Sequence, residues 1–433
     1  MMRIALTVCF TLIMTATAFA AEGGSQIDKA DTAWILVSAA MVLLMTHGLA
    51  MFYGGMVRKK NVLGTIMHSF IAIAIVSVQW VVIGYSLAFG PDIKGIIGGL
   101  DWAFLRNVGL EPNPDYAGTV PHLAFMIYQA MFAVITPALI SGALAERIKF
   151  SSFILFTVLW STVIYAPVAH WVWGKGGWLG SLGVLDFAGG IVVHVTSGLS
   201  ALAAALYVGK RKGYPHEITP PHNLPLTVIG TGILWFGWFG FNGGSALTSG
   251  ALSTVAFVTS HIAAVAAVVT WVTIEWLQHG KPTVFGAATA SVAGLATITP
   301  AAGYVSPMSA LIIGILAGSV CYTALNLKPR LGYDDSLDAF GVHGVGGFIG
   351  TVCVGIFASL AFNEHGANGL INGNTKQFFI QTAAAAGVGI FSFVVTLILL
   401  KVVDIVTNGI RVNHENETEG LDVTQHGESG YYF

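Results

Sequence analysis

Long apolar stretches, separated by short polar segments, recur along this whole sequence and decide what it can fold into. A helix needs about 20 apolar residues to cross the hydrocarbon core of a bilayer. Charged residues make up only 9% of the chain, whereas an average soluble domain has about 25%. Lipid must therefore cover much of the surface, and the sequence predicts an all-α membrane protein with about eleven transmembrane helices. The stretches of sufficient length are Thr32–Met56, Val62–Phe89, His122–Leu144, Phe150–Trp171, Phe187–Val208, Leu224–Ala246, Thr254–Leu277, Thr283–Ala301, Pro307–Leu325, Ala339–Phe362 and Gln377–Thr407.

The N-terminal segment has the pattern of a secretory signal peptide. Arg3 precedes an apolar run over Ile4–Met14, and the small residues of Ala18–Ala20 have the A-x-A form of a cleavage site. We expect cleavage near residue 20 or 21, with an uncleaved first span as the alternative. The predicted parts are thus a signal peptide over residues 1–21, a transmembrane domain over 22–408 and a cytoplasmic tail over 409–433.

The charges of the connections predict the orientation of the chain. Basic residues concentrate in alternate connections, at Arg58, Lys59, Lys60, Arg147, Lys149, Lys210, Arg211, Lys212, Lys281, Lys328, Arg330 and Arg411. The other connections contain only Lys29, Lys94, Arg106, Lys175 and Lys376. Because positive loops stay in the cytoplasm, we expect a multi-pass protein of the inner membrane with a periplasmic N-terminus and a cytoplasmic C-terminus. The net charge of -2 argues against a nucleic-acid partner.

Weak similarities between the first five spans and the next five indicate an internal repeat. Span five begins near Asp186 and reaches His194, and span ten begins near Asp338 and reaches His343. The ends of spans one and six read Phe52–Gly55 and Phe241–Gly244. When a unit with an odd number of spans occurs twice in succession, the second copy begins on the opposite side of the membrane and is inverted relative to the first. Inverted repeats are common in transporters and place the solute path between them, so we predict two five-helix repeats followed by a C-terminal helix.

His194 and His343 are the strongest candidates for a functional role. Both lie inside apolar spans, where ionisable residues are costly and are functional candidates by default. Neutral imidazole can donate and accept hydrogen bonds, so a facing pair could line a narrow path for a polar molecule. Haem ligation, in an intramembrane redox enzyme, is the alternative. Zinc would require three or four ligands, and we expect neither a metal nor a cofactor, and no enzymatic activity.

Aromatic residues form a second candidate site. Trp171, Trp173 and Trp178 lie near one end of a span, where an interfacial belt of aromatic residues is the ordinary explanation. The segment Trp235–Ser245 alternates large rings with glycine, which is typical of a constriction. Rings beside a hydroxyl favour the capture of a small cation, worth about 2 kcal/mol or more when the cation is desolvated.

The sequence resembles the ammonium transporters of the Amt/Mep/Rh family, bacterial Amt branch, over nearly the whole mature chain. The motifs that carry the resemblance are Phe52–Gly55, Gly142–Arg147, Asp186–Gly190 with His194, Pro221–Pro225, Gly237–Asn242, Phe340–Gly344, and Gly420–Val423 with His426–Glu428. The resemblance implies a homotrimer of eleven-helix subunits, each with its own pore for ammonium or ammonia. It also implies that a cytoplasmic PII-type protein (GlnK) binds at the tail and blocks the pore. An ammonium sensor that signals through such a partner is the alternative.

The resemblance also implies the roles of individual residues. It places cation binding on Trp173, Phe132 and Ser245, with a second aromatic residue at Tyr128. It places a gate on Phe132 and Phe241 and a structural role on Asp186. The residues that it implies as the pore lining are His194, His343, Trp238 and Tyr53. Two positions depart from the family pattern. Tyr128 stands where phenylalanine is usual and adds a hydroxyl, and His47 stands where proline is common, which predicts a different bend in the first helix.

These residues together predict a mechanism. Moving an unpaired ion into a dry pore costs on the order of tens of kcal/mol, which an aromatic mouth worth about 2 kcal/mol cannot offset. Burial favours the neutral form of an ammonium-type group. We therefore expect deprotonation at the mouth, passage of neutral ammonia past the histidines, and separate transfer of the proton.

Overall fold

The computed structural model describes residues 27–216 and 220–432, so the predicted signal peptide over residues 1–21 lies outside the described residues. Within them, ten helices are long and apolar enough to cross a membrane. They are α1 (Lys29–Met56), α2 (Lys59–Phe89), α3 (His122–Leu144), α4 (Phe150–Ser181), α5 (Gly190–Val208), α6 (Leu224–Gly244), α7 (Ala251–His279), α9 (Pro307–Leu331), α10 (Phe340–Phe357) and α11 (Thr375–Val406). The all-α membrane architecture is confirmed.

The predicted eighth span is shorter than expected. It forms helix α8 over Val284–Ile298, which has 15 residues. At about 1.5 Å per residue its length is about 22 Å, less than the hydrocarbon thickness of about 30 Å. Most of its residues are buried among other helices rather than exposed at the surface. The count of eleven transmembrane helices therefore stays a prediction, because ten helices within the described ranges meet the length criterion.

Polar groups fix several helix ends, and these ends differ from the ends of the apolar stretches in the sequence. α1 begins at an N-cap, Asp28, whose Oδ1 accepts from the backbone N–H groups of Ala30 and Asp31. α5 begins at Gly190 rather than at Phe187, because the preceding turn is organised by a carboxylate described below. α1 runs without interruption past His47, whose Nδ1 lies 3.1 Å from the carbonyl oxygen of Leu43.

Equivalent helices of the two repeats pack against each other. α1 packs along α6 over most of their length, and the first turns of α5 and α10 pack against each other. Glycine permits these close approaches. A Cβ atom on Gly48 of α1 would lie 2.9 Å from the backbone nitrogen of Leu234 on α6, and a Cβ atom on Gly198 of α5 would overlap the backbone of Gly344 on α10. The two halves therefore meet backbone to backbone in the centre of the molecule.

Two small hairpins lie between α2 and α3. Strand β1 (Asp92–Ile93) pairs with β2 (Ile97–Gly98), and β3 (Pro112–Asn113) pairs with β4 (Ala117–Pro121), both antiparallel. They cover the end of the bundle at which Trp173 lies, and we call this end the tryptophan face.

The C-terminal tail folds against the opposite end of the bundle, which we call the tail face. It forms helices α12 (His414–Glu419) and α13 (Leu421–His426). The Oδ1 atom of Asp422 accepts from the backbone N–H of Gly64 on α2 at 2.8 Å. The His426 ring lies 4.8 Å from the Phe150 ring, centroid to centroid. The tail is thus ordered by contacts with α2 and α4, although its sequence has no apolar period.

Candidate functional site

His194 and His343 lie side by side in the centre of the bundle. Each belongs to a π-helical turn at the start of its helix, Gly190–Val195 in α5 and Phe340–Gly344 in α10. π-helical turns occur frequently at functional sites. The two rings are nearly parallel, with centroids 5.2 Å apart and Nδ1 atoms 3.2 Å apart. The structure therefore brings together the two histidines that the sequence predicted as a pair.

The contact between the two rings fixes their hydrogen-bonding roles. One Nδ1 must donate a hydrogen and the other must accept it, because both atoms face each other at 3.2 Å. In a neutral pair, the ring that donates from Nδ1 carries an accepting Nε2, and the other ring carries a donating Nε2. The Nε2 atom of His194 is buried and has no partner among the described residues. The pair thus offers one acceptor and one donor to a small polar molecule.

A small apolar cavity lies beside the histidines. Its volume is about 10 Å³, close to the about 10–15 Å³ that one water molecule requires. Haem does not fit in this space. The lining residues are Met45, Leu49, Ile135, Leu139, Val193, His194, Leu234, Trp238, Phe241, Val292 and His343. We call it the histidine cavity; sequence reasoning had not identified its aliphatic lining, which resembles any other helix core.

Two stacked phenylalanines close this cavity on the side of the tryptophan face. The rings of Phe132 and Phe241 lie 4.2 Å apart, centroid to centroid, at an angle of 29°. Both side chains are almost fully buried. The Phe241 ring also stacks at 6.2 Å from the His194 ring. A solute that moves from the tryptophan face to the histidines must displace these two rings.

An open cavity of about 540 Å³ lies on the other side of the two phenylalanines. We call it the outer cavity. Trp173, Phe132, Ser245 and Asp186 all line it, so the structure brings the predicted cation-binding residues together. The Trp173 ring meets the Phe132 ring edge to face at 6.0 Å. Polar residues that the sequence did not single out also line it, namely Gln129, Tyr304, Asn363 and His365.

Tyr128 lies behind the outer cavity and is absent from the residues that line it. Its hydroxyl contacts the carbonyl oxygens of Gly240 and Phe241 at 3.0 and 2.8 Å, and the Ser245 Oγ at 3.2 Å. The additional hydroxyl at this position therefore stabilises the end of α6. It also fixes the orientation of Ser245, whose own Oγ donates to the Phe241 carbonyl oxygen at 2.8 Å.

Asp186 organises the turn that precedes the His194 helix. Its two oxygens accept the backbone N–H groups of residues 189–192 at 2.6 to 3.1 Å. Its backbone oxygen accepts from the Trp173 Nε1 at 2.8 Å. The carboxylate is 5% exposed. Both carboxylate oxygens accept backbone N–H groups at the start of the helix, so this geometry supports a structural role for Asp186.

The structure changes the pairing of aspartates between the repeats. Asp186 precedes His194 by the same number of residues as Asp335 precedes His343, and Asp335 Oδ2 accepts from the Phe340 N–H at the start of α10. Asp338, which the sequence comparison had paired with Asp186, instead forms a salt bridge with Lys328. The pairing with Asp338 was wrong, because the equal spacing to the histidine and the hydrogen bond to the helix start identify Asp335 as the equivalent of Asp186.

Trp238 lines the histidine cavity, whereas Tyr53 contacts one of the lining residues from behind. The Trp238 ring stacks on the His194 ring at 5.6 Å, and its Nε1 donates to the Thr299 Oγ1 at 2.9 Å. Tyr53 does not line the cavity itself. Its hydroxyl donates to the carbonyl oxygen of Leu139, a lining residue, at 3.1 Å. Tyr53 therefore lies beneath the cavity toward the tail face.

A third cavity of about 200 Å³ opens at the tail face. Arg58, Glu146 and Arg211 line it together with Lys328 and Asp338. The two oxygens of Glu146 bind the Arg58 Nε and an Arg211 guanidinium nitrogen, both at 2.9 Å. Burial alone would raise the pKa of Glu146, but the charges of Arg211 and Arg58 hold this pKa at about 2. Glu146 is therefore anionic, and its ion pairs with Arg58 and Arg211 join the connections that surround the tail-face cavity.

Three cavities follow one another through the bundle: the outer cavity, the histidine cavity and the tail-face cavity. Together with the fold, they define the molecule as a multi-pass membrane transporter. A sequence profile described as Ammonium Transporter Family matches residues 33–431. The ammonium transporter of Bacillus subtilis is 50% identical over 402 residues, which are 93% of this chain and 98% of that protein. The protein named ammonium transporter Amt1 of Archaeoglobus fulgidus is 48% identical over 401 residues, covering 93% and 99% of the two chains.

Solved structures agree with these sequence similarities. Candida albicans Mep2 superposes with a TM-score of 0.86 at 38% identity, over 94% of this chain and 91% of that one. A structure described as a sensor Amt protein gives a TM-score of 0.84 at 33% identity, over 92% and 98% of the two chains. The chain belongs to the ammonium transporter family.

Proposed function

We propose that the protein captures ammonium in the outer cavity, removes one proton and conducts ammonia past His194 and His343. The observation that carries this proposal is the histidine cavity. It has room for one small molecule of about the size of water, an apolar lining, and one donor and one acceptor at the imidazole pair. An ion has no counter-charge there. Neutral ammonia has N–H groups and one lone pair, which the acceptor and the donor of the imidazole pair can bind.

Capture of the cation uses the rings and the hydroxyl of the outer cavity. The faces of Trp173 and Phe132 attract a cation by about 2 kcal/mol when it is desolvated. Ser245 donates its hydrogen to the Phe241 carbonyl oxygen, so its remaining lone pairs can accept from an ammonium N–H. A potassium ion has no proton to lose, so it cannot reach the histidine cavity in a neutral form, whereas ammonium can.

The loss of a proton follows from the cost of burial. Moving the intact ion into the histidine cavity would cost on the order of tens of kcal/mol, far above the about 2 kcal/mol available in the outer cavity. Desolvation between Phe132 and Phe241 favours the neutral form by up to about 3–5 pKa units. Ammonia then moves beside the imidazoles, and the proton crosses separately, so net transport carries charge.

The tail face is cytoplasmic in this proposal, and the protein lies in the inner membrane with a periplasmic N-terminus. The basic connections with Arg58 and Arg211 support this orientation. A PII-type regulator (GlnK) would then approach the tail-face cavity and the ordered tail from the cytoplasm. These assignments can be tested by labelling single cysteines introduced at either face in intact cells.

Assembly as a homotrimer is part of the proposal. His261 is exposed in the middle of α7, where a polar side chain facing lipid is costly. The ring of Trp235 on α6 lies 5.6 Å away, and its Nε1 is buried without a hydrogen-bond partner among the described residues. A neighbouring subunit would cover this pair. The mass of the detergent-solubilised protein, measured by light scattering, distinguishes a trimer from a monomer.

The experiment that tests the function uses purified protein in liposomes without any partner. An inward ammonium gradient should produce both nitrogen uptake and an electrical current. Uptake of ammonia without current would overturn the separate transfer of the proton. Saturable binding of ammonium without any uptake would favour the second candidate, an ammonium sensor, which the structural similarity to a sensor Amt protein brings into consideration.

A further inference from the structure

Asp186 and Asp335 occupy equivalent positions before the two histidine helices, but they use their carboxylates differently. Both oxygens of Asp186 are occupied by backbone N–H groups. At Asp335, Oδ2 accepts from the Phe340 N–H at 2.7 Å. The other oxygen, Oδ1, is buried and has no hydrogen-bond partner in the part of the chain that the structure describes. Asp335 therefore retains one carboxylate oxygen that does not take part in capping the helix.

Asp335 lies in the layer of protein between the histidine cavity and the tail-face cavity. Tyr53, which bonds to a residue lining the histidine cavity, lies close enough for the charge of Asp335 to act on it. The residues that follow Asp335 in sequence, 336–338, line the tail-face cavity. The side chain is fully buried. A solute that leaves the histidine cavity toward the tail face must pass this layer.

The nearby lysine does not hold the Asp335 carboxylate by a direct salt bridge. The Lys328 Nζ donates to the backbone oxygen of Asp335 at 2.9 Å and to the Asp338 Oδ1 at 2.5 Å. A buried carboxylate that lacks a direct ion pair is costly to keep charged. Asp335 is therefore poised to accept a proton rather than to remain a permanent anion.

The charges around Asp335 set its titration. Burial raises the pKa of Asp335 to about 6; the charge of Lys328 and the N–H groups of Phe340 and Ala339 oppose the increase, and the charge of Asp338 adds to it. Arg147, Tyr53 and Tyr333 are the other titratable groups on which its charge acts. A carboxyl group with such a pKa exchanges its proton under conditions close to neutral pH.

We propose that Asp335 returns a proton to ammonia at the tail-face end of the path. In this step the O–H bond of the Asp335 carboxyl group breaks and an N–H bond forms on ammonia, which leaves as ammonium through the tail-face cavity. The carboxylate is then protonated again by the proton that ammonium gave up at the tryptophan face. Charge and atoms balance, because one ammonium disappears on one side for each that forms on the other. The step rests on the proposed function.

The test compares variants in oriented proteoliposomes, with current and nitrogen uptake measured together. Asp335→Asn keeps an oxygen for the Phe340 N–H but cannot titrate. We expect its current per nitrogen to fall by about a hundredfold, the lower end of the range for general acid–base catalysis. Glu415→Gln, which changes an exposed carboxylate on α12, is the control and should behave as wild type. The Asp335→Glu variant should recover part of the current.

The pH dependence gives a second measurement that does not require the asparagine variant to fold. The wild-type current should change with the pH of the tail side, with an inflection near pH 6. Asp338→Asn should move this inflection to lower pH, because it removes a negative charge and releases Lys328 toward Asp335. A wild-type current that is flat across this range, or an Asp335→Asn variant with the wild-type current and profile, would overturn the inference. Absence of any wild-type current would instead overturn the proposed function.

Discussion

The Nδ1 atoms of His194 and His343 lie 3.2 Å apart, although the two residues belong to different halves of the chain. The contact exists because the helices that carry them meet at glycine. A Cβ atom on Gly347 would lie 2.7 Å from the Cβ atom of His194. A pair at this distance shares one hydrogen and works best when both rings are neutral. Protonation of both rings would remove the shared hydrogen bond and place two charges in a cavity without counter-ions.

Trp173 should contribute to capture rather than to conduction. Trp173→Leu keeps an apolar side chain but removes the aromatic face, worth about 2 kcal/mol for a desolvated cation. We expect the ammonium concentration for half-maximal current to rise by on the order of ten- to thirty-fold, with a smaller change in the maximal current. The measurement is the concentration dependence of the current. Trp171→Leu, which replaces a tryptophan outside the lining of the outer cavity, is the matched control, and an equal effect of both substitutions would contradict the assignment.

Asp186 should contribute to stability rather than to ammonium contact. Asp186→Asn replaces one accepting oxygen by an N–H₂ group that faces backbone N–H groups. Hydrogen bonds to charged groups contribute about 1.5–3 kcal/mol each, so unfolding should become easier by at least about 3 kcal/mol. Thermal unfolding in detergent measures this change, with Asp115→Asn at an exposed carboxylate as the control. A variant with wild-type stability and weakened ammonium affinity would indicate direct contact instead.

Glu146 should stabilise the tail face in a pH-dependent manner. Its folded pKa of about 2 lies below the ordinary value, so its contribution is complete above the unfolded pKa and is lost as the pH falls through the folded one. Glu146→Gln should therefore lower the free energy of unfolding by about 3 kcal/mol near neutral pH. The difference from wild type should shrink as the pH approaches 2. Denaturant unfolding at several pH values tests this, and a constant difference would exclude the charge as its cause.

The tail should regulate transport without selecting the solute. Deletion of Asn413–Phe433 removes the contacts with Gly64 and with Lys60, whose Nζ donates to the Thr418 carbonyl oxygen. None of the residues lining the histidine cavity belongs to this segment. We expect altered rates or an altered response to a PII-type protein, with an unchanged preference for ammonium over potassium. Currents with each cation measure both quantities, and loss of the preference in the truncated protein would contradict this separation.

Much of the architecture could be predicted from the sequence because it depends on composition and local pattern. Within the described residues, the apolar stretches located all ten helices that are long enough to cross a membrane, and they also located α8, which is shorter than predicted. The two histidines stood out because polar groups inside spans are rare. These signals require no knowledge of which residues meet in space.

The remaining features depend on contacts between distant segments. The aliphatic lining of the histidine cavity resembles ordinary helix core, and the clamp around Glu146 joins three separate connections through Arg58 and Arg211. The pairing of Asp186 with Asp338 was wrong because sequence similarity counted a dipeptide, whereas hydrogen bonds to the helix start identify Asp335. The order of the tail likewise follows from packing that its polar sequence did not reveal.

The central claim is that ammonia passes the histidine pair after its proton has left. Current measurement on proteoliposomes that contain wild type, His194→Ala or His343→Ala tests it most directly. We predict a saturable ammonium current in wild type, and in each variant a loss of most of this current, because the shared hydrogen and one polar partner of ammonia are removed. Wild-type currents with unchanged selectivity in both variants would contradict the account.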